Sequence, residues 1–136
     1  MFKAVASNIK KQIEVKDGDT VVDSFTIEFS RLTNKQRADC KIDLAVEVDS
    51  FNANLKDIKD GKVLKDAASK LLSNSTDRLK SSIKGWSDFT DADNKPVSFS
   101  PENVDKLLEY PEYKDPIELA FVEILLGSAK DEAAKN

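Results

Sequence analysis

Ile13 and Val15 alternate with Gln12, Glu14 and Lys16, and beyond Asp17-Gly18 the residues Phe25, Ile27 and Phe29 alternate with Ser24, Thr26 and Glu28. A period of two that puts aromatic and β-branched residues on one side predicts paired strands with one buried face. Asp17-Gly18 is a strong hairpin signal, because a type I′ turn needs positive φ. Residues 1–32 are therefore expected to form a β-hairpin.

The pattern then changes period. Thr33-Asn34-Lys35-Gln36 fits a capping box, in which the Thr hydroxyl and the Gln side chain satisfy backbone N–H groups reciprocally. A helix should start there. Leu44, Val48, Phe51 and Leu55 follow at spacings of one helical face, while Ile42, Leu44, Val46 and Val48 also alternate like a strand. The cap and the longer stripe agree on helix. Gly61 marks a break. Val63, Leu64, Ala67, Ala68, Leu71 and Leu72 repeat at helical spacing, and Asn74 to Thr76 reads as a polar break. Leu79 and Ile83 make a short second stripe that Gly85 can end in the left-handed conformation.

Asp91 to Lys95 predicts a turn and Val97 to Phe99 a short extended piece. Ser100-Pro101 and Asp115-Pro116 each place a cap residue before a proline suited to the first helical position. The first of these helices carries Val104, Leu107 and Leu108; the second carries Ile117, Ala120, Phe121, Ile124 and Leu125. Ser128 to Asn136 is polar and either continues the last helix or frays. These elements make an α+β fold, mainly helical with an N-terminal β-hairpin. In a chain of 136 residues they read as a single domain, 1–136, with a β-hairpin region at 1–32 and a helical region at 33–136.

Composition narrows the chemistry. Hydrophobic residues are 40% and charged residues 34%, a water-soluble globular balance. The 21 basic and 25 acidic residues leave a net charge of −4, and no dense Lys/Arg run offsets it, which disfavours nucleic acid as a partner. Met1 to Ala6 leads straight into polar residues and does not read as a signal peptide. Ile117 to Leu126, the longest apolar segment, is broken by Glu118 and Glu123 and is too short to span a bilayer. No membrane association is expected, and the cytosol is the expected compartment.

There is no histidine and one cysteine, Cys40. The usual general base near neutral pH is thus missing, as are the ligands of ordinary zinc sites and any Ser-His-Asp or Cys-His arrangement. No intramolecular disulfide can form, and Cys40 reads as a small apolar residue. No Gly-rich phosphate loop is present. Asp91-Ala92-Asp93-Asn94, with Glu102 further on, faintly resembles a calcium loop. However, Lys95 occupies a ligand position and Pro96 stands where the sharp turn requires Gly, so a plain turn is expected. Trp86, Phe89 and Phe99 lack the basic surroundings of a base-stacking surface and read as core. The apolar face of Ile117 to Leu125 likewise reads as core, part of which could also serve an oligomer. No catalytic, cofactor-binding or metal-binding residue is assigned, no cofactor is expected, and no partner-binding residue can be named.

From residue 79 onward the order of elements is distinctive: Ile83-Lys84-Gly85-Trp86-Ser87-Asp88-Phe89, then Asp91-Ala92-Asp93-Asn94-Lys95-Pro96-Val97-Ser98-Phe99-Ser100, then Pro101-Glu102-Asn103-Val104, with Leu107-Leu108, Tyr110-Pro111, Ile117, Ala120-Phe121 and a final Ala134-Lys135-Asn136. This stretch resembles the tail assembly chaperones of long-tailed bacteriophages, with Lys95 where a Gly often closes the turn. Before residue 79 the likeness is only general. The resemblance implies a non-catalytic protein that coats the tape measure protein in the host bacterial cytosol and is absent from the mature virion. It also makes the tail tube protein a further candidate partner, while the broad apolar stripes of the helices, which oligomers often complete, lead to an expectation of self-association. A longer product, made by a ribosomal slip near the end of the frame, would fit Ala134-Lys135-Asn136 if their codons are GCA, AAA and AAC. The alternatives are a small structural tail or head-tail joining protein, a carboxylate-only enzyme, and a regulator that binds a host protein.

Overall fold

In the computed structural model, which describes residues 8–56 and 61–127, the alternating N-terminal segments pair as β1 (Asn8–Asp17) and β2 (Thr20–Ser30). Phe25, Ile27 and Phe29 on β2 are at most 1% exposed, and Ile13 and Val15 lie opposite on the same face of β1. The turn differs from the expected I′ type. Its central residues are Gly18 and Asp19, and of these only Gly18 has positive φ, +63°. That is the II′ pattern, with Gly at the first central position. A bulge follows: Val15 faces Asp23 and Lys16 faces Val21, so Val22 is the extra residue.

α1 (Asn34–Lys56) starts on the expected capping box. Gln36 N donates to Thr33 Oγ1 at 3.1 Å, and Thr33 N donates to Gln36 Oε1 at 2.9 Å. The ambiguous stretch 42–48 is helical. α2 (Gly61–Ser82) runs through Asn74 to Thr76 without the expected break. Ser75 Oγ donates back to the Leu72 carbonyl at 3.0 Å, so the hydroxyl is satisfied within the helix.

The expected helix end at Gly85 is also corrected. Ile83–Ser87 forms β3, which pairs antiparallel with β2 and completes a three-stranded sheet of order β1-β2-β3. Gly85 lies opposite Glu28, and a Cβ built on it would come within 2.9 Å of the Glu28 carboxylate. Gly85 is thus a strand residue rather than a left-handed cap, and a side chain there would have to displace the mobile end of Glu28.

Asp91 to Lys95 is the expected turn. Asp91 Oδ1 accepts from the N–H groups of Asp93 at 2.8 Å and Lys95 at 3.0 Å. α3 (Pro101–Leu108) begins as expected, with Ser100 Oγ accepting from Asn103 N at 3.2 Å. α4 (Pro111–Leu125) starts earlier than Asp115-Pro116 predicts, at Tyr110-Pro111, and Pro116 lies inside it. Tertiary packing outweighs the local signal here. The extra turn carries Tyr113, whose ring lies 6.3 Å from Phe25 and 6.2 Å from Phe89. Pro116 has no N–H to give the Glu112 carbonyl, one helical bond forgone.

The chain divides into two compact units. One holds residues 1–31 with 79–136 and the other residues 32–78. The chain leaves the first unit after Arg31 and returns to it at Leu79, so that β3, α3 and α4 belong with the hairpin. In the first unit the inner face of the sheet meets Ile117, Ala120, Phe121, Ile124 and Leu125 of α4, with Phe29 and Phe121 6.2 Å apart. Val104, Leu107 and Leu108 of α3 and Leu79 at the end of α2 complete this core. Ser128–Asn136 lies outside the described residues.

Candidate functional site

In unit 32–78, α1 and α2 run back along each other. Their half-buried positions include Arg37, Cys40, Leu44, Glu47 and Phe51 on α1, and Leu64, Ala67, Leu71, Asn74 and Arg78 on α2, where Ser75 and Thr76 are half-buried as well. Alternating steps of three and four make two facing seams of coiled-coil spacing. The seam departs from the expected stripe, because Val48 and Leu55 are exposed and Cys40 and Glu47 take inward places. Arg78 Nη2 donates to both carboxylate oxygens of Glu47 at 2.6 Å, tying the two helices with a charge-assisted pair. A shallow groove of about 240 Å³ between the helices is lined by residues including Val46, Phe51, Ala67 and Leu71.

Outside this seam, α1 and α2 carry apolar side chains into solvent. Ile42 is 61% exposed, Val46 59% and Leu72 57%, and Val48, Leu55 and Val63 are exposed as well. Isolated exposed apolar residues are ordinary; Ile42 and Val46, one turn apart, share a side of α1 and together offer a small apolar contact patch. The sequence pattern signalled helices with apolar faces but could not say which faces the partner helix leaves open.

The remaining candidate residues separate. Cys40 sits in the α1 seam. Burial foremost pushes its thiol pKa up; Arg78 pulls it down, and Asp43 and Glu47 push it up again. A raised thiol is a poorer nucleophile at neutral pH. Asp91 is engaged in its own turn, and among the described residues no group of three His, Cys, Asp or Glu side chains could hold a metal ion.

Trp86, Phe89 and Phe99 are brought together, but not as the buried core expected. Trp86 and Phe89 are half-buried and Phe99 is 42% exposed. Phe25 stacks on Phe89 at 4.2 Å, while Trp86 meets Phe89 and Phe99 edge-on at 5.2 and 4.9 Å. Trp86 Nε1 donates to the Val97 carbonyl at 2.8 Å, which pins the strand after the Asp91 turn against β3. Tyr113 donates its hydroxyl to Asp23 at 3.3 Å; burial foremost, then the Asp23 charge, raises its pKa. The apolar face of Ile117 to Leu125 is core, as expected.

Among the described residues no helix is long and apolar enough to cross a membrane. Comparison with protein-family models, with curated proteins and with solved structures finds no match to this chain.

Proposed function

We propose that this chain is a non-catalytic tail assembly chaperone of a long-tailed bacteriophage. It binds the tape measure protein and keeps it soluble in the host cytosol until tail tube subunits replace it, and it is left out of the mature virion. The observation that carries this reading is the pair Ile42 and Val46, exposed one turn apart on α1, with Leu72 exposed on α2. A tape measure protein is long and helical, and amphipathic helices lay apolar faces on such surfaces. The resemblance of residues 79–136 to tail assembly chaperones supports the same reading.

Co-expression tests it. Tape measure fragments should stay soluble with this chain and co-purify with it, and Ile42→Asp with Val46→Asp should abolish both effects while the fold persists by circular dichroism. Insoluble fragments with the unaltered chain would overturn the reading. Detection of the chain in purified virions by mass spectrometry would favour a structural tail or head-tail joining protein instead.

A further inference from the structure

The sheet has two edges, and they differ. β3 is short, contains a bulge at Lys84, and is followed by Asp88, whose φ of +58° turns the chain away. β1 has ten residues, and the extra residue of its hairpin bulge lies on β2, so β1 itself is regular from Asn8 to Val15. Among the described residues nothing pairs with the outer side of β1. A long regular edge of this kind presents unpaired N–H and C=O groups and is a template for another strand. Beside it, two shallow depressions of about 370 and 240 Å³ run along α4, sharing Glu14 and Pro116. Leu119, 62% exposed, lines the second of them next to Ile13.

We propose that β1 is the interface between two copies of this chain. It pairs antiparallel with the partner's β1 about a two-fold axis at Gln12 and continues the sheet across the dimer. The register follows from charge. Residues opposite each other in an antiparallel pair share a face of the sheet, so a symmetric pairing must centre on a residue. Centring on Lys11 sets two lysines together, centring on Ile13 sets Lys10 against the partner's Lys16, and centring on Glu14 sets two glutamates together. Centring on Val15 pairs Glu14 with the partner's Lys16 but leaves only residues 13–17 of each strand in the ladder, whereas centring on Gln12 sets Lys10 against the partner's Glu14 twice, opposes no like charges and pairs Asn8 through Lys16.

On the other face, Ile9 meets the partner's Val15, and Leu119 gains an apolar neighbour across the axis. Lys11 does not block this approach. Its side chain is only 8% exposed and its ammonium is drawn back 3.4 Å from Glu123 of its own chain. The pairing requires no tape measure protein, so it stands or falls separately from the chaperone reading.

Sedimentation equilibrium of the full chain tests it. A concentration-dependent dimer is expected. Lys10→Glu and Glu14→Lys should each weaken it by about tenfold, and the double exchange should restore it, since like charges directly opposite are destabilising and opposite ones favourable. In a Cys40→Ser background, Gln12→Cys should cross-link between copies under mild oxidation and Glu14→Cys should not. A chain that stays monomeric at every concentration overturns the proposal. So does a dimer indifferent to these charge changes, or one cross-linked through Glu14→Cys instead. Circular dichroism of each variant separates loss of pairing from loss of fold, and restoration by the exchange is a result that misfolding cannot produce.

Discussion

The unit formed by residues 1–31 and 79–136 contains all fifteen of the buried apolar side chains found among the described residues; the unit of residues 32–78 contains none. The first is organised by burial. A sheet offers one broad apolar face, and α4 lays five buried residues on it. The second is organised by a narrow seam and by polar links at its ends: the Thr33–Gln36 box, the Glu47–Arg78 pair and the exposed Lys35–Asp39 pair. Two helices alone cannot surround a side chain, so each half-buried residue leaves an apolar neighbour in solvent. Stability is thus concentrated in one unit, whereas exposed large apolar side chains are found on both.

Substitutions can break or sharpen this contrast. Phe29→Ala, at a site 0% exposed, should lower unfolding free energy by about 3–5 kcal/mol, the usual cost of emptying a buried aromatic site. Phe51→Ala in the seam should cost far less, and chemical denaturation showing equal losses would erase the distinction between the units. Trp86→Ala should cost about 2 kcal/mol, less than a core aromatic because the ring is half-buried. A fluorescence maximum between the buried and fully solvated extremes is expected for the native indole.

Smaller effects should appear in unit 32–78. Glu47→Gln removes the charge from a pair with side chains only 19% and 16% exposed, and should weaken the hairpin by about 1–2 kcal/mol. Hydrogen exchange should report the change in α1 and α2 while β1 and β2 keep their protection. Thr33→Ala should cost about 1 kcal/mol by uncapping α1, read as faster exchange of its first-turn amides. The smallest effect concerns pH. Tyr113 has a raised pKa, so the folded state holds that proton more tightly than the unfolded chain. Its contribution is complete below the ordinary tyrosine value of 10.0 and is lost as pH rises through the higher folded value. Tyr113→Phe should therefore flatten the alkaline fall of the melting temperature, and an unchanged slope would show that other groups set it.

Signals with a local mechanism are legible in the order of residues alone. The capping box at Thr33, the Ser100-Pro101 start of α3, the Asp91 turn and the alternation of β2 all depend on residues within a few positions of one another, and each is present in the fold. Those that failed were overruled from a distance. Asp115-Pro116 is a good helix start, but Tyr113 packs against Phe25 and Phe89 and extends α4 backward. Gly85 could have ended a helix, but β2 offers an open edge on which Ile83–Ser87 pairs, with Gly85 opposite Glu28. The aromatic group around Trp86 could be anticipated as packed, though not as half-exposed, since exposure depends on which elements close over it.

By itself the chain order of apolar and polar residues determined that there would be a hairpin, long helices and no histidine chemistry, because period and composition act through the nearest neighbours. Tertiary structure alone decided that the segment after α2 becomes a third strand, that the seam of α1 runs through Cys40 and Glu47, and which apolar residues stay in solvent. Those outcomes depend on what each face meets across the fold, and a face that meets nothing carries the same local pattern as one that is buried.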